Sequence, residues 1–263
     1  MSSGIVYSVF TKPWKMPIPE LGAFVKGMGF DAIELPVRPE YQVEPENVQR
    51  DLPGAVAQLA DCGVQVASIA GPTDEPTIRA CGECGVPIIR ICPRIEEIGY
   101  LATEEKLWRE LDELVPLLDE CGVAIGIQNH CNEWISSSAG VRRLIERYDP
   151  KHVCAVWDPA HNAVAGEVPA LAIDLSWSHL RMVNLKSACW LRKNGPEAEV
   201  AEWQLYWTTG RQGITPWPKV IALLKERGWQ GPVCLTAEYS DHDATDRLIR
   251  DDIAYARSLF EGE

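Results

Sequence analysis

No apolar stretch of the chain reaches the roughly 18 residues that a membrane-crossing helix needs, and the cleanest runs are strand-sized. The N-terminal segment MSSGIVYSVFTKPWK has no basic stretch leading into an apolar one, so no signal peptide is expected. Cations are scarce: 25 Lys plus Arg stand against 38 Asp plus Glu, a formal charge of −13. Without a concentrated basic patch such a chain repels phosphate backbones, and nucleic acid is not expected as a partner. Linkers, low-complexity tracts and composition shifts are missing too, so the sequence reads as one domain over 1–263. Nine Cys form no small-domain framework, which points to reduced thiols and a cytoplasmic setting. Cys81-x-x-Cys84 lacks the second pair that a zinc ribbon needs, and both residues read as packing groups.

With 46% hydrophobic and 24% charged residues, the composition is that of an ordinary globular chain. Eight short, continuously apolar runs punctuate it: Ile5–Phe10, Ala32–Leu35, Val64–Ile69, Pro87–Cys92, Val123–Gln128, His152–Trp157, Leu180–Leu185 and Pro232–Ala237. Amphipathic stretches separate them, such as Glu104–Gly122, and most end in a glycine suited to a left-handed helix stop. Continuous rather than alternating hydrophobicity marks strands buried on both faces. Eight such strand–helix units predict a single (β/α)8 barrel, with the long segment from Ser187 to Thr215 lying as a loop over one end.

In such barrels the active site lies at the C-terminal ends of the strands. Those ends carry Glu34, Arg90, Gln128, His130, Asp158, Asn184, Lys186 and Glu238, with His161 one helical turn after Asp158. The pairs Gln128/His130 and Asn184/Lys186 are two apart, so each pair faces one way. Other readings accompany these. Asp158 before Pro159 fits a helix N-cap, Glu34 can pair with Arg90 or Lys186, and His130 can simply bond a loop. Trp108, Trp217 and Trp229 fall in helical contexts and read as packing. Trp14, Trp134, Trp190, Trp203 and Trp207 fall on the site side, where flat rings suit the CH faces of a sugar or, equally, pack the long loop onto the barrel. Arg211, in TTGRQGIT, is a weaker candidate for a substrate phosphate or carboxylate.

GFDAIELP, GVAIGIQNH, VWDPAH, MVNLKSA and the segment from Gly210 to Tyr239 resemble the sugar phosphate isomerase/epimerase superfamily, the xylose-isomerase-like barrels, over nearly the whole chain. The family pattern ends its fifth strand in Glu-Asn-His, its sixth in Asp-x-x-His, its seventh in His-x-Lys-Asp and its eighth in Glu. Its Glu, Asp, His and Glu hold one divalent metal. Asp158, His161, Lys186 and Glu238 match, whereas Gln128 replaces the Glu, Asn184 the His and Ser187 the Asp. The resemblance implies a metal held by Gln128, Asp158, Asn184 and Glu238. All four ligands are oxygens, favouring Mn²⁺ or Mg²⁺ over Zn²⁺.

It further implies metal-assisted isomerisation or epimerisation of a small sugar or sugar-derived acid. Glu238 would act as ligand and base, and His130 and Lys186 would join it in catalysis. Glu34, Arg90, His161, Arg211 and Trp14 would contact substrate. Gln128 removes one base of a two-base epimerisation, so a dehydratase or lyase stays open. So does a metal-free carbohydrate-binding barrel in which Lys186 replaces the ion between Asp158 and Glu238. The acidic charge and only five His argue against the DNA-repair branch of the superfamily. No membrane partner is expected, and a homo-oligomer is left open.

Overall fold

The computed structural model describes residues 4–262; Met1–Ser3 and Glu263 of the expected domain lie outside them. Strands and helices alternate as β1 (Ile5–Phe10), α1 (Ile18–Gly27), β2 (Ala32–Pro36), α2 (Val48–Asp61), β3 (Gln65–Ala70), α3 (Glu75–Cys84), β4 (Ile88–Ile91) and α4 (Tyr100–Cys121). They continue as β5 (Ala124–Gln128), α5 (Ser138–Ile145), β6 (Val153–Trp157), α6 (Pro159–Val164), α7 (Pro169–Ser176) and β7 (Leu180–Leu185). The chain closes with β8 (Ser187–Arg192), β9 (Trp203–Thr208), α8 (Trp217–Glu226), β10 (Gly231–Leu235) and α9 (Thr245–Glu261). Parallel pairing in the order β1-β10-β7-β6-β5-β4-β3-β2 closes the barrel. Each of the eight expected runs is a barrel strand, with ends shifted by a residue or two. Gly85 and Gly122 cap α3 and α4 with φ of 73° and 65°, the left-handed geometry in which a Cβ would be strained. No helix among the described residues is long and apolar enough to cross a membrane.

The segment expected as a loop from Ser187 to Thr215 instead contains an antiparallel hairpin, β8 against β9, paired from Ser187↔Thr208 to Arg192↔Trp203. Only the root of this hairpin is buried, so its outer residues never carry the apolar run by which the barrel strands are recognised. Its base is tied down through Asp252 of α9. That carboxylate accepts the Gly210 N–H at 2.9 Å and the Tyr239 hydroxyl at 2.8 Å.

Inside the barrel, Phe10, Ala70, Ile88, Val156, Met182 and Cys234 form an apolar cluster of their own. Stepping two residues along the chain from this plug gives Lys12, Pro72, Arg90, Asp158, Asn184 and Thr236, so five of the six positions directly above it are polar. Gly126 fills the plug on β5, and a Cβ there would lie 2.7 Å from Val156 Cγ2 and 3.0 Å from Ile88 Cγ2. Gly126→Ala should therefore cost about 1–3 kcal/mol by overpacking. Urea melts check this, and adding Val156→Ala should recover part of the loss. An unchanged midpoint for the single variant would mean that the plug has room for the methyl group.

Candidate active site

Glu34 on β2 and Arg90 on β4 form a bidentate ion pair, both contacts 2.7 Å, and the Ser68 hydroxyl donates to Glu34 at 3.1 Å. Glu34 is completely buried and lines neither cavity at the barrel mouth; its carboxylate holds the Arg90 guanidinium in place. Arg90 passes the link on by donating to Gln128 Oε1 at 2.7 Å. The same oxygen accepts from Asn184 Nδ2 at 2.9 Å, while Gln128 Nε2 donates to Asp158 Oδ2 at 3.0 Å. Both lone pairs of Gln128 Oε1 are thus taken.

Asp158 is the helix N-cap that Pro159 after it suggested. Its Oδ1 accepts from the N–H groups of Ala160 and His161, capping α6, while Oδ2 faces the site. Burial pushes its carboxyl up from the ordinary value, against the pull of Lys186 and the two helix N–H groups.

Lys186 leaves the end of β7 with its ammonium 3.1 Å from Glu238 Oε2 and 3.6 Å from Asp158 Oδ2. The Trp207 ring of β9 covers it, with the centroid 4.4 Å away. Burial works against this charge, yet Glu238 and Asp158 together hold Lys186 above its ordinary value. Glu238 is pushed up by burial but held well below the usual carboxylate range by Lys186 and by Lys12, whose Nζ is 2.7 Å from Oε1. The backbone just before Glu238 is strained, Ala237 sitting in the left-handed region at φ 50°.

His130 and His161 lie tilted face to face, ring centroids 4.0 Å apart. The buried His161 accepts the Cys131 N–H on Nδ1, which puts its own proton on Nε2, 3.6 Å from Asp158 Oδ2. Burial, with Lys186 adding to it, keeps this ring neutral. His130 has the opposite tautomer: Nδ1 lies 3.0 Å from the Cys131 carbonyl oxygen and donates to it, leaving the lone pair on Nε2. Burial also lowers the His130 pKa from its ordinary value, so at neutral pH the ring is an uncharged base.

Two cavities open at this end of the barrel, of about 530 Å³ and 880 Å³, and Lys12, His130, Lys186 and Glu238 line both. Arg90, Gln128 and Asn184 also line the first, and Trp14 the second, where its indole N–H donates to Asp246 at 2.8 Å. Four expected positions are corrected by the structure. His161 is fully buried and lines neither cavity. Arg211 stacks 3.8 Å over Tyr255 of α9, outside both cavities. Trp190 and Trp203 are exposed on the hairpin rather than turned to the mouth. Lys12 and Arg38 line the first cavity without having been expected there. Lys12 was legible as the second residue beyond the end of β1, the same step that marks Lys186 after Asn184.

The four oxygen ligands expected for a divalent metal do not fit one as they stand. Both lone pairs of Gln128 Oε1 are taken and the two carboxylates already share the Lys186 ammonium, which leaves Asn184 Oδ1, buried without a partner, as the one free oxygen of the four residues' inner groups. His130, Cys131 and His161 do bring ligand atoms within 4.8 Å of one another. The tautomer of His161, however, gives that cluster an N–H where it needs a lone pair. Lys186 thus stands where the ion was expected. Millimolar Mn²⁺ or Mg²⁺ should then leave the melting temperature of the protein unchanged, because no preferential binding to the folded state is available. A saturable rise with either ion would show that Lys186 gives way to it.

The match to known proteins agrees with this architecture. The family model described as xylose isomerase-like TIM barrel matches residues 23–259. Among solved structures, D-psicose 3-epimerase from Clostridium cellulolyticum H10 with D-tagatose is similar at TM-score 0.73 and 14% identity, over 97% of this chain and 99% of that one. The probable 3-DHS dehydratase from Bacillus anthracis reaches 0.70 at 15% identity, over 94% and 97%. A xylose isomerase-like barrel from Mycobacterium smegmatis in complex with magnesium reaches 0.67 at 14%, over 93% and 89%. No curated protein matches at a significant level. At these identities the structures speak for the fold alone, and the family model supplies the classification: the chain belongs to the xylose isomerase-like TIM barrel family.

Proposed function

We propose that the protein moves a proton between carbon atoms next to the carbonyl of a small, hydroxylated, sugar-type substrate, an isomerase reaction without a metal ion. The observation that carries this reading is the meeting of both cavities at Lys12, His130, Lys186 and Glu238. Proton abstraction beside a carbonyl places negative charge on the carbonyl oxygen. The Lys186 ammonium, fixed by two carboxylates and shielded by Trp207, is a preorganised cation for that charge. The His130 Nε2 lone pair takes the proton from the hydroxyl-bearing carbon and returns it to the former carbonyl carbon, while the hydroxyl proton passes to the former carbonyl oxygen, so that carbonyl and hydroxyl exchange places.

Glu238 is a poor partner for a second proton transfer. Two lysines hold it ionised, so near neutrality it is neither a useful acid nor a strong base. One effective base favours a 1,2-isomerisation over a two-base epimerisation. The same site admits a second reading for the same reason, because elimination of a β-hydroxyl also needs a single base, and a 3-DHS dehydratase is among the similar folds.

Incubation with sugars and sugar acids in deuterated water, followed by proton resonance, tests this reading. Deuterium should enter the carbon beside the carbonyl, with or without EDTA. His130→Gln should slow incorporation by about 10²–10⁴-fold, and Lys186→Met by about 10²–10³-fold. The pH dependence carries a sign. His130 must be unprotonated to accept, and its pKa is lowered, so kcat/KM should rise with pH and level off with an apparent pKa below about 6.5. Binding of sugars with no exchange in any of them would instead mark a carbohydrate-binding barrel.

A further inference from the structure

The first mouth cavity holds more positive charge than its surroundings neutralise. Lys12, Arg38, Arg90 and Lys186 line it, in a chain whose formal charge is −13. Glu34 grips Arg90, Glu238 serves Lys12 and Lys186, and Asp158 also serves Lys186. Arg38 is left over. Among the described residues its guanidinium enters no ion pair and no hydrogen bond; its recorded contact is the Phe10 ring, whose centroid is 5.6 Å from the guanidinium carbon. Arg90 lies over the same ring at 4.9 Å, so two cations contact one aromatic ring while only one of them has a carboxylate.

This arrangement is built rather than incidental. Val37 N–H donates to Ala70 O at 3.0 Å and Arg38 N–H to Val43 O at 3.2 Å, which fixes the arginine's backbone at the rim. Gly71 lets the exits of β2 and β3 approach, since a Cβ there would lie 2.8 Å from Val37 Cβ. A chain with 38 acidic residues has set none of them opposite this half-buried guanidinium. Because it is only partly buried, this guanidinium keeps its donors open to a ligand entering the cavity.

We propose that Arg38 is a specificity-determining residue that binds the carboxylate of a sugar-derived acid, so that the substrate is anionic rather than a neutral sugar. A guanidinium offers two parallel N–H donors matched to a carboxylate. One uncompensated positive charge also balances a carboxylate better than a phosphate dianion. The word substrate rests on the proton-transfer reading above, whereas the contact itself does not.

Binding alone therefore tests it. Titration calorimetry would compare C4–C6 aldonates, uronates and 2-keto acids with the corresponding neutral polyols and sugar phosphates, on wild type, Arg38→Gln and Arg38→Lys. At least one acid should bind wild type ten times more tightly or better than its neutral counterpart. That preference should weaken as salt is raised, vanish in Arg38→Gln and return only partly in Arg38→Lys, which keeps the charge but not the fork. Unchanged melting of both variants without ligand would show that the loss is one of recognition. Equal binding of acid and polyol, a preference kept by Arg38→Gln, stronger binding of the phosphates, or no binding by any acid would overturn the proposal. Should an acid bind as expected yet exchange no deuterium, the proton-transfer reading fails and the carboxylate site stands.

Discussion

A buried ammonium between two carboxylates organises the mouth of this barrel. Removing a lysine from water costs several kcal/mol, and the cost is met only where opposite charges are close and their geometry is held. Lys186 meets that condition because its main chain is anchored on both sides. It follows β7 directly and precedes β8 directly, and its carbonyl accepts the Trp217 indole N–H at 3.0 Å. The hairpin that begins at Ser187 then brings Trp207 back over the ammonium. The same few residues thus end a barrel strand, start the hairpin and place the charge.

The charges around it are graded by depth. Asp158 and Glu34 lie fully buried, the one capping α6 with its second oxygen and the other locked to Arg90. Glu238 still reaches solvent and is shared by two lysines, and the unpaired Arg38 marks the rim. The charge without a carboxylate of its own therefore sits at the rim, on a molecule that is otherwise acidic. An anion held there leaves its hydroxylated end against His130 and the neutral amides.

Most of the fold was legible because parallel barrel strands carry their signal locally, as continuous apolar runs bounded by helix-stop glycines. The hairpin was not legible: Leu191, Val200 and Trp203 are exposed and Ala188 buried, so no periodic pattern survives in the sequence. Strand-end polar residues such as Arg90, Lys186 and Glu238 could be placed because position on a strand decides which way they face. What those residues do to one another could not. Whether Glu34 meets a ligand or Arg90, and whether Asp158 and Glu238 share an ion or a lysine, depends on side-chain reach across the barrel. Lys12 follows from the two-residue step beyond β1, whereas Arg38 sits where the backbone turns after β2 and that step no longer marks a face.

Gln128 and Lys186 are two halves of one adjustment. A glutamate at 128 would place a carboxylate oxygen where the Gln128 amide nitrogen now lies, 3.0 Å from Asp158 Oδ2, and Lys12, Lys186 and Arg90 would then face Glu34, Asp158, Glu238 and the new acid, one negative charge too many in a desolvated space. The amide converts that repulsion into a hydrogen bond, while its oxygen takes Arg90 and Asn184. Conversely, with a neutral residue at 128 the remaining pair of carboxylates matches a singly charged lysine and has less to offer a dication. The departure at position 128 therefore leaves the mouth charged, but changes which cation the charge selects.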